Sequence, residues 1–223
     1  MNQRATIRDV ARVAGVSRQT VSRVINAKAE VKGATRERVL SAMTQLNYRP
    51  SRIAQSLNTQ RTYTLGLVIP NIANPYFSDV ALGLQHRARE HDFNVFLCNT
   101  GWDPVEELHV LNTLAAQQVD GIILHGSRCS DEELRAFSEE YRPLIICGRD
   151  FRSSGSSMTL TDHAQGGALA IKHLMAQGHS AIGLLVGEKT APTMSNALRL
   201  AGFRTALQAC GITIREEWIM HGE

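Results

Sequence analysis

Residues 7–26 read IRDVARVAGVSRQTVSRVIN, and this stretch decides the fold of the N-terminal part of the chain. Its first half repeats apolar residues at the i, i+3, i+4, i+7 spacing of a helix that buries one stripe. These residues are Ile7, Val10, Ala11 and Ala14. Gly15 can adopt the left-handed conformation that ends a helix, and Ser17 is a good N-cap for the next helix. The stretch therefore predicts a helix-turn-helix.

The second predicted helix has two chemically different sides. At about 100° per residue, its apolar side carries Val21, Val24 and Ile25. Its polar side carries Arg18, Gln19, Ser22, Arg23 and Asn26. Arg can bind the edge of guanine with two hydrogen bonds, and Gln can do the same with adenine, when a helix lies in the major groove of DNA. The polar side is therefore typical of a recognition helix, and a solvated charged face on a small helical domain is the alternative.

Charge is divided unevenly along the 223 residues, although the net formal charge is only +3. Residues 1–61 contain 12 Lys and Arg against 3 Asp and Glu, whereas residues 62–223 contain 12 against 18. A folded segment with such an excess of positive charge favours a polyanionic partner, and duplex DNA is the first candidate. A membrane surface is the second candidate, but the segment lacks the aromatic and Leu-rich face that an interfacial helix buries. We therefore expect a DNA partner and no membrane.

Other function classes leave little trace in the sequence. The N-terminus has no apolar signal region and no apolar run approaches the length of a membrane span, so we expect a cytoplasmic protein. The four cysteines are widely spaced without a CxxC pair, and the eight histidines show no ligand spacing. We therefore expect no disulfide framework, no metal site and no cofactor. A nucleophile, a base and an orienting acid do not occur at the spacing of a catalytic motif, so we expect no enzyme.

A third helix is expected after the helix-turn-helix, with Thr35 as its cap. Its buried stripe would consist of Val39, Ala42, Met43 and Leu46. Pro50 disfavours helical conformation in the residue before it, so the small bundle should end there. Residues 51–60, SRIAQSLNTQ, predict a helix of about two turns, which is marginal in isolation. It would become ordered on DNA, with Leu57 as an apolar wedge in a minor groove, or it would serve as an ordinary linker.

From Tyr63 onward the pattern changes to alternating strands and helices. Short apolar runs predict strands over residues 65–69, 95–97, 121–124, 144–147, 158–160 and 182–186. Longer stretches predict helices over residues 77–91, 105–118, 131–140, 165–177 and 197–210. This alternation predicts a parallel α/β sheet, in which ligands collect at the carboxyl ends of the strands. The residues that follow the strands are 70–77, 99–102, 125–128, 148–150, 161–162 and 187–199.

Several motifs make the chain resemble the lactose-repressor (LacI/GalR) family of transcription regulators along its whole length. They are TIRDVARVAGVSRQTVSRVIN, TRERVLSAMTQLNYRPSRIAQSL, LGLVIPNIANPYF, DGIIL, PLIICGRD, TDHAQGGALAIKHLMAQGHSAIGLL and LRLAGFRTAL. The resemblance implies a headpiece at 1–49, a hinge helix and linker at 50–62, and a periplasmic-binding-protein-like domain with lobes at 63–161 and 162–223. It also implies a repressor that binds a pseudo-palindromic operator as a homodimer or a dimer of dimers, under the control of a small-molecule effector.

Carried over position by position, the resemblance assigns base reading to Arg18, Gln19 and Arg23. The positions that hold phosphates are Thr6, Ser17, Thr20, Ser22, Asn26 and Thr35. Leu57 matches the leucine that wedges between the central base pairs, and Ala54 matches its neighbour in the minor groove. Because position 18 varies within the family, the resemblance leaves the operator sequence open.

In the expected effector cleft, the resemblance points to positions that often touch a sugar or a purine, namely Phe77, Arg149, Asp162 and Arg199. Gly148 stands where some members of the family carry an aspartate that binds sugar hydroxyls, so the class of effector stays open, with a carbohydrate as the first choice. Three of the positions also have a structural interpretation. Phe77 would be a core residue, Asp162 a helix cap, and Arg199 a partner in a salt bridge on a helix surface.

The C-terminus departs from the family. The sequence stops at Glu223, where the second lobe would be about half built, so we expect a fragment of a longer protein or a truncated gene product with an uncovered strand edge. Two other functions stay open. The α/β part alone would fit a sugar-binding receptor without a DNA function, and a nucleotide-binding enzyme is less favoured because no GxGxxG follows the first strand.

Overall fold

The computed structural model describes residues 5–26, 31–50, 61–153, 156–187 and 194–222. The chain divides into two units, residues 1–62 and residues 63–223. The predicted hinge helix at 51–60, with Ala54 and Leu57, lies outside the described residues. Within the described ranges, no helix combines the length and the apolar character needed to cross a lipid bilayer.

The N-terminal unit contains the predicted helix-turn-helix. Helix α1 spans Ile7–Ala14 and helix α2 spans Arg18–Ile25. Gly15 ends α1 in the left-handed region at φ 64°. The Oγ of Ser17 caps α2, because it accepts a hydrogen bond from the backbone N–H of Thr20 at 3.1 Å. The predicted turn chemistry is therefore confirmed at both decisive residues.

Helix α3 spans Gly33–Gln45 and packs on the first two helices. The shared core consists of Val10, Ala11, Ala14, Val21, Val24, Val39 and Ala42, with Met43 and Leu46 packed against it. The prediction that Thr35 caps α3 is wrong. The carbonyl of Lys32 accepts hydrogen bonds from the N–H groups of Thr35 and Arg36, both at 3.0 Å, so the helix begins earlier and Thr35 lies in its first turn.

Five parallel strands form the main sheet of the second unit. They are β1 Thr64–Ile69, β2 Asn94–Asn99, β3 Gly121–His125, β4 Leu144–Cys147 and β5 Ser156–Thr159, in the spatial order β2-β1-β3-β4-β5. The connecting helices are α4 Pro75–Arg89, α5 Pro104–Ala116 and α6 Asp131–Glu140. The predicted parallel α/β arrangement is therefore confirmed.

Successive residues of β1 enter two different cores, because side chains of a strand alternate between the faces of the sheet. Leu67 packs with Phe77 of α4. Val68 packs with Leu111 of α5 and Leu134 of α6. Helices on both faces explain why the strand reads as an unbroken apolar run.

The last described residues form a second, smaller layer. Helices α7 (His163–Ala176) and α8 (Met194–Ala209) accompany a parallel sheet of two strands, β6 (Leu184–Val186) and β7 (Ile219–His221). Their core contains Ile171, Ile182, Phe203, Ala206 and Leu207. Strand β7 is absent from the sequence-based prediction, because three residues beside a short 3-10 helix, Glu216–Trp218, are too few to show an alternating pattern.

Candidate functional site

The outer side of α2 presents the three residues assigned to base reading. Arg18, Gln19 and Arg23 are exposed, while Val21 and Val24 on the inner side are buried in the bundle core. Neither arginine forms an ion pair within the described residues. The helix is thus anchored by its apolar side and presents the donor groups of three long side chains to its surroundings.

Most of the residues assigned to phosphate contacts lie around the helix ends, and some of them bond to groups of their own helix. The hydroxyl of Thr6 donates to the carboxylate of Asp9 at 2.7 Å, and this bond lowers the pKa of Asp9 below its ordinary value. The hydroxyls of Ser17 and Thr20 share a hydrogen bond at 2.9 Å. The other three, Ser22, Asn26 and Thr35, are half-buried. A phosphate oxygen would therefore have to replace Asp9 as the acceptor for Thr6.

The strand order of the main sheet creates a point where its connections diverge. The chain leaves β1 toward β2 on one side and returns to β3 on the other, so the carboxyl ends of β1 and β3 flank a crevice. Four aromatic rings gather there, those of Tyr76, Phe77, Trp102 and His125. The centroid of the Phe77 ring lies 5.8 Å from that of Trp102 and 5.2 Å from that of His125. The Tyr76 hydroxyl lies 3.0 Å from Nε2 of His125, and burial lowers the pKa of this histidine.

Two of the predicted effector residues lie at this edge of the sheet. Phe77 is 5% exposed and packs with Leu67, so the interpretation as a core residue accounts for most of its surface. Arg149 follows β4, and its guanidinium donates to the carboxylate of Asp131 and to the carbonyl of Cys129. One predicted ligand contact is therefore buried, and the other already has protein partners.

The other two predicted effector residues lie at α7 and α8. Asp162 caps α7, because its Oδ1 accepts a hydrogen bond from the N–H of Gln165 at 2.8 Å. Arg199 on α8 is exposed and donates to the side-chain oxygen of Asn196 at 3.2 Å, and it forms no ion pair within the described residues. Burial and then the charge of Arg199 lower the pKa of His163, while Asp162 opposes them. The packing of α7 and α8 thus brings Asp162 and Arg199 to the same end of the helix pair.

The cap assigned to Asp162 can be tested on stability. Asp162→Ala should lower the free energy of unfolding of the second unit by about 1 kcal/mol, because the N–H of Gln165 loses its acceptor. Asp162→Asn retains an acceptor and should stay close to the wild-type value. Thermal unfolding followed by circular dichroism measures both variants. Equal losses in the two would show that the residue does not act as a cap.

The structure adds residues that the sequence does not single out. Trp102 and Arg128 lie in segments that follow β2 and β3, and that position is their only signal in the sequence. Glu107 of α5 is 2% exposed, and its carboxylate accepts hydrogen bonds from the Ser127 hydroxyl and, at 2.9 Å, from the backbone N–H of Arg128. Its neighbour Glu106 looks equivalent in the sequence, so only the fold distinguishes the two.

Groups suited to a metal ion and reactive thiols were sought in the described part of the chain, where three of the four cysteines are buried or half-buried. It contains no group of three His, Cys, Asp or Glu residues suited to a metal ion. Burial raises the pKa of the thiols of Cys98, Cys129 and Cys147, to about 12 for Cys129. These thiols are therefore protonated near neutral pH and are poor nucleophiles.

Two family models match the chain and together span nearly all of it. The model described as bacterial regulatory proteins of the lacI family matches residues 6–51. The model described as periplasmic binding proteins and sugar binding domain of the LacI family matches residues 62–223.

Individual relatives align along almost the whole chain. Catabolite control protein A of Priestia megaterium is 32% identical over 218 residues, which cover 98% of this chain and 65% of that protein. The HTH-type transcriptional repressor PurR of Haemophilus influenzae (strain PittEE) is 36% identical over 220 residues, which cover 98% of this chain and 64% of that protein. The chain therefore spans slightly less than two thirds of the length of these relatives.

A solved structure shares the fold. The crystal structure of the lac repressor dimer bound to operator and the anti-inducer ONPF superposes with a TM-score of 0.83 at 30% identity, over 98% of this chain and 65% of that one. The expected fold, a helix-turn-helix headpiece followed by a parallel α/β domain, is thereby confirmed. Because both of its segments match the family models and its relatives align along 98% of its length, the chain belongs to the LacI family of bacterial regulatory proteins.

Proposed function

We propose that the chain acts as a sequence-specific DNA-binding transcription regulator, and more narrowly as a repressor. The observation that carries this proposal is the outer face of α2, where Arg18, Gln19 and Arg23 are exposed on a helix whose other side is buried. An α-helix fits the major groove of DNA, where Arg and Gln can read guanine and adenine by paired hydrogen bonds. These three residues would supply the choice of sequence.

Affinity would come from contacts with phosphates, which position a protein on the duplex. The net excess of nine positive charges in residues 1–61 supports this role. The predicted contacts are Thr6, Ser17, Thr20, Ser22, Asn26 and Thr35. Ala54 and Leu57 remain predicted minor-groove contacts of the hinge, outside the described residues.

The protein would bind its operator as a homodimer or as a dimer of dimers. A helix-turn-helix unit reads one half-site, and two copies related by two-fold symmetry read the two halves of a pseudo-palindrome. The similarity to a lac repressor dimer bound to operator supports this arrangement.

A small-molecule effector, of carbohydrate type, would control DNA binding. Support comes from the crevice between β1 and β3, and from the match to a model described as a sugar binding domain. The predicted contacts are Phe77, Arg149, Asp162 and Arg199, of which Phe77 would offer only a small part of its ring. The effector would act by binding one of two dimer geometries more tightly than the other.

The proposed activity is binding and not catalysis, in keeping with the regulators to which the chain is similar. A DNA target also requires the compartment that holds the DNA, so the protein would act in the cytoplasm.

Salt dependence tests this function. The 223-residue chain should bind a fluorescent random-sequence duplex, and affinity should fall by about a thousandfold or more between 50 and 200 mM salt, because each neutralised phosphate releases counterions. Fluorescence anisotropy titrations measure the slope. A flat salt dependence, or no binding at the lowest salt, would instead favour a sugar receptor without a DNA function.

A further inference from the structure

The turn that follows β2 holds a tryptophan in an unfavourable backbone conformation. Gly101 and Trp102 have φ angles of 64° and 67°, and the N–H of Asp103 bonds to the carbonyl of Thr100 at 3.1 Å to close the turn. Positive φ angles at both central residues define a type I′ turn, in which a bulky side chain is costly. Trp102 is 38% exposed, so a part of this large residue is open to solvent. Strain of this kind clusters at functional sites.

The side chain of Arg128 lies over this ring. Its guanidinium carbon is 5.1 Å from the centroid of the Trp102 ring. The loop that carries Arg128 is fixed from α5, because the buried carboxylate of Glu107 accepts the Arg128 N–H at 2.9 Å. The Sγ of Cys129 in the same loop donates to the carbonyl of Pro104 at 3.4 Å. The loop that carries Arg128 is therefore held by two contacts with α5.

The pair stands at the point where the connections of the sheet diverge. A Cβ added to Gly126, directly after β3, would lie 3.1 Å from Pro70 after β1 and 3.4 Å from the Trp102 ring. The ring therefore lies beside the residue that follows β3, which Pro70 after β1 also approaches. In a sheet of this strand order, ligands bind in the crevice between the carboxyl ends of β1 and β3.

The charge of Arg128 differs in its surroundings from the charges of two nearby arginines, which form ion pairs with carboxylates. Arg149 is paired with Asp131, and Arg152 is paired with Asp150 at 3.3 Å. Arg128 forms no ion pair within the described residues. The nearby carboxylate of Glu107 is buried and accepts the Ser127 hydroxyl and a backbone N–H, and Asp103 accepts the N–H of Val105 at 2.9 Å as the cap of α5. A stacked guanidinium in this position suits an anionic oxygen group, which Arg can bind with two parallel hydrogen bonds.

We propose that Trp102 and Arg128 form one wall of the effector cleft, and that the effector is a sugar that carries an acidic group, a phosphate or a carboxylate. The sugar ring packs on the indole and the acidic group bonds to the guanidinium. This inference rests on the proposed function for the existence of an effector cleft, but it names contacts and a ligand chemistry that the function alone does not.

Trp102 can report on its own surroundings. The chain contains two tryptophans, so Trp218→Phe leaves Trp102 as the sole indole fluorophore. In this background, quenching of the Trp102 fluorescence is measured with iodide, which is an anion, and with acrylamide, which is neutral. The difference between the two quenchers reports the charge near the ring. Arg128→Gln should reduce the ratio of iodide quenching to acrylamide quenching at least about twofold, because the ratio cancels the change in access that follows loss of the stacked side chain. Arg152→Gln, which removes the same charge from an arginine paired with Asp150, should leave this ratio unchanged.

Ligand titrations use the same signal. Glucose 6-phosphate should change the Trp102 emission in a saturable way, and Arg128→Gln should weaken the apparent affinity at least about tenfold, since a charged hydrogen-bonded pair is lost. Glucose should bind more weakly and equally in both chains. Gluconate and inorganic phosphate distinguish a carboxylate from a phosphate as the recognised group. If Trp218→Phe does not fold, the difference in emission between the wild-type chain and Trp102→Phe gives the same reading.

The outcomes separate cleanly. An equal ratio of iodide to acrylamide quenching with and without Arg128 overturns the proposal. Equal binding of glucose and glucose 6-phosphate overturns it too, and so does the absence of a response to any of the three anionic probes. DNA is absent from every one of these measurements. Binding of the Arg128→Gln chain to duplex DNA therefore tests the proposed function separately. If this chain does not bind DNA, the result of the ligand titrations is unaffected.

Discussion

Gly202→Ala should unfold or severely destabilise the layer formed by α7 and α8. A Cβ at position 202 would lie 1.9 Å from the carbonyl oxygen of Ala164 and 2.7 Å from its carbonyl carbon, which are distances that no side-chain rearrangement can relieve. The helices would have to separate, and the core around Phe203 and Leu207 would open with them. We expect the free energy of unfolding of the second unit to fall by about 3 kcal/mol, the upper end for overpacking.

The neighbouring glycines of α7 provide a matched control. A Cβ at Gly166 would meet no atom within 4 Å, whereas one at Gly167 would lie 2.5 Å from the carbonyl oxygen of Arg199. Gly166→Ala should therefore stabilise the helix by up to about 1 kcal/mol through helix propensity, and Gly167→Ala should destabilise it. Thermal and urea unfolding of the three variants measures these effects. If Gly202→Ala and Gly166→Ala unfold alike, the close backbone contact between α7 and α8 is wrong.

Arg23→Ala should remove most of the discrimination between operator and random DNA. A bidentate base contact contributes about 1 to 3 kcal/mol, so the ratio of the two affinities should fall about 5- to 150-fold while nonspecific binding persists. Because Arg23 is exposed and forms no ion pair within the described residues, the headpiece should keep its thermal stability.

Arg38→Ala controls for the loss of one positive charge. Arg38 is an exposed helical arginine of the same unit, on α3 and outside the recognition face. Its removal should weaken binding to operator and random duplex by the same factor. Titrations of both duplexes with both variants give the ratio, and an unchanged ratio for Arg23→Ala would remove α2 as the reading element.

Local chemistry made part of the fold predictable. Gly15 forms the turn through its left-handed conformation, and Ser17 through the hydrogen bond that its side chain accepts. Helix α6 spans the predicted residues because Ser130 and Glu133 form a capping box at its start. Helix α4 begins two residues before the prediction, since Asn74 caps it and Pro75 fits its first turn. The hydrophobic pattern locates the buried stripe and misses the polar cap that precedes it.

The candidate ligand site was less predictable, because its residues act through partners distant in the sequence. Phe77 packs in the core, and Asp162 caps a helix. From the sequence alone, each of these structural roles is as good an explanation of the residue as ligand binding. Trp102 is contacted by Arg128, whose backbone N–H bonds to Glu107, a residue 21 positions away. Such a chain of contacts becomes visible only when the strands β2 and β3 are placed in one sheet.

Selection of bound duplexes from a random pool tests the central claim most directly. The 223-residue chain, retained with its bound DNA at moderate salt, should enrich an inverted repeat, because two copies of α2 would read the two half-sites. The same selection with Arg23→Ala should recover DNA without a shared sequence. A wild-type pool that shows no enriched sequence would contradict the claim that the outer face of α2 reads DNA.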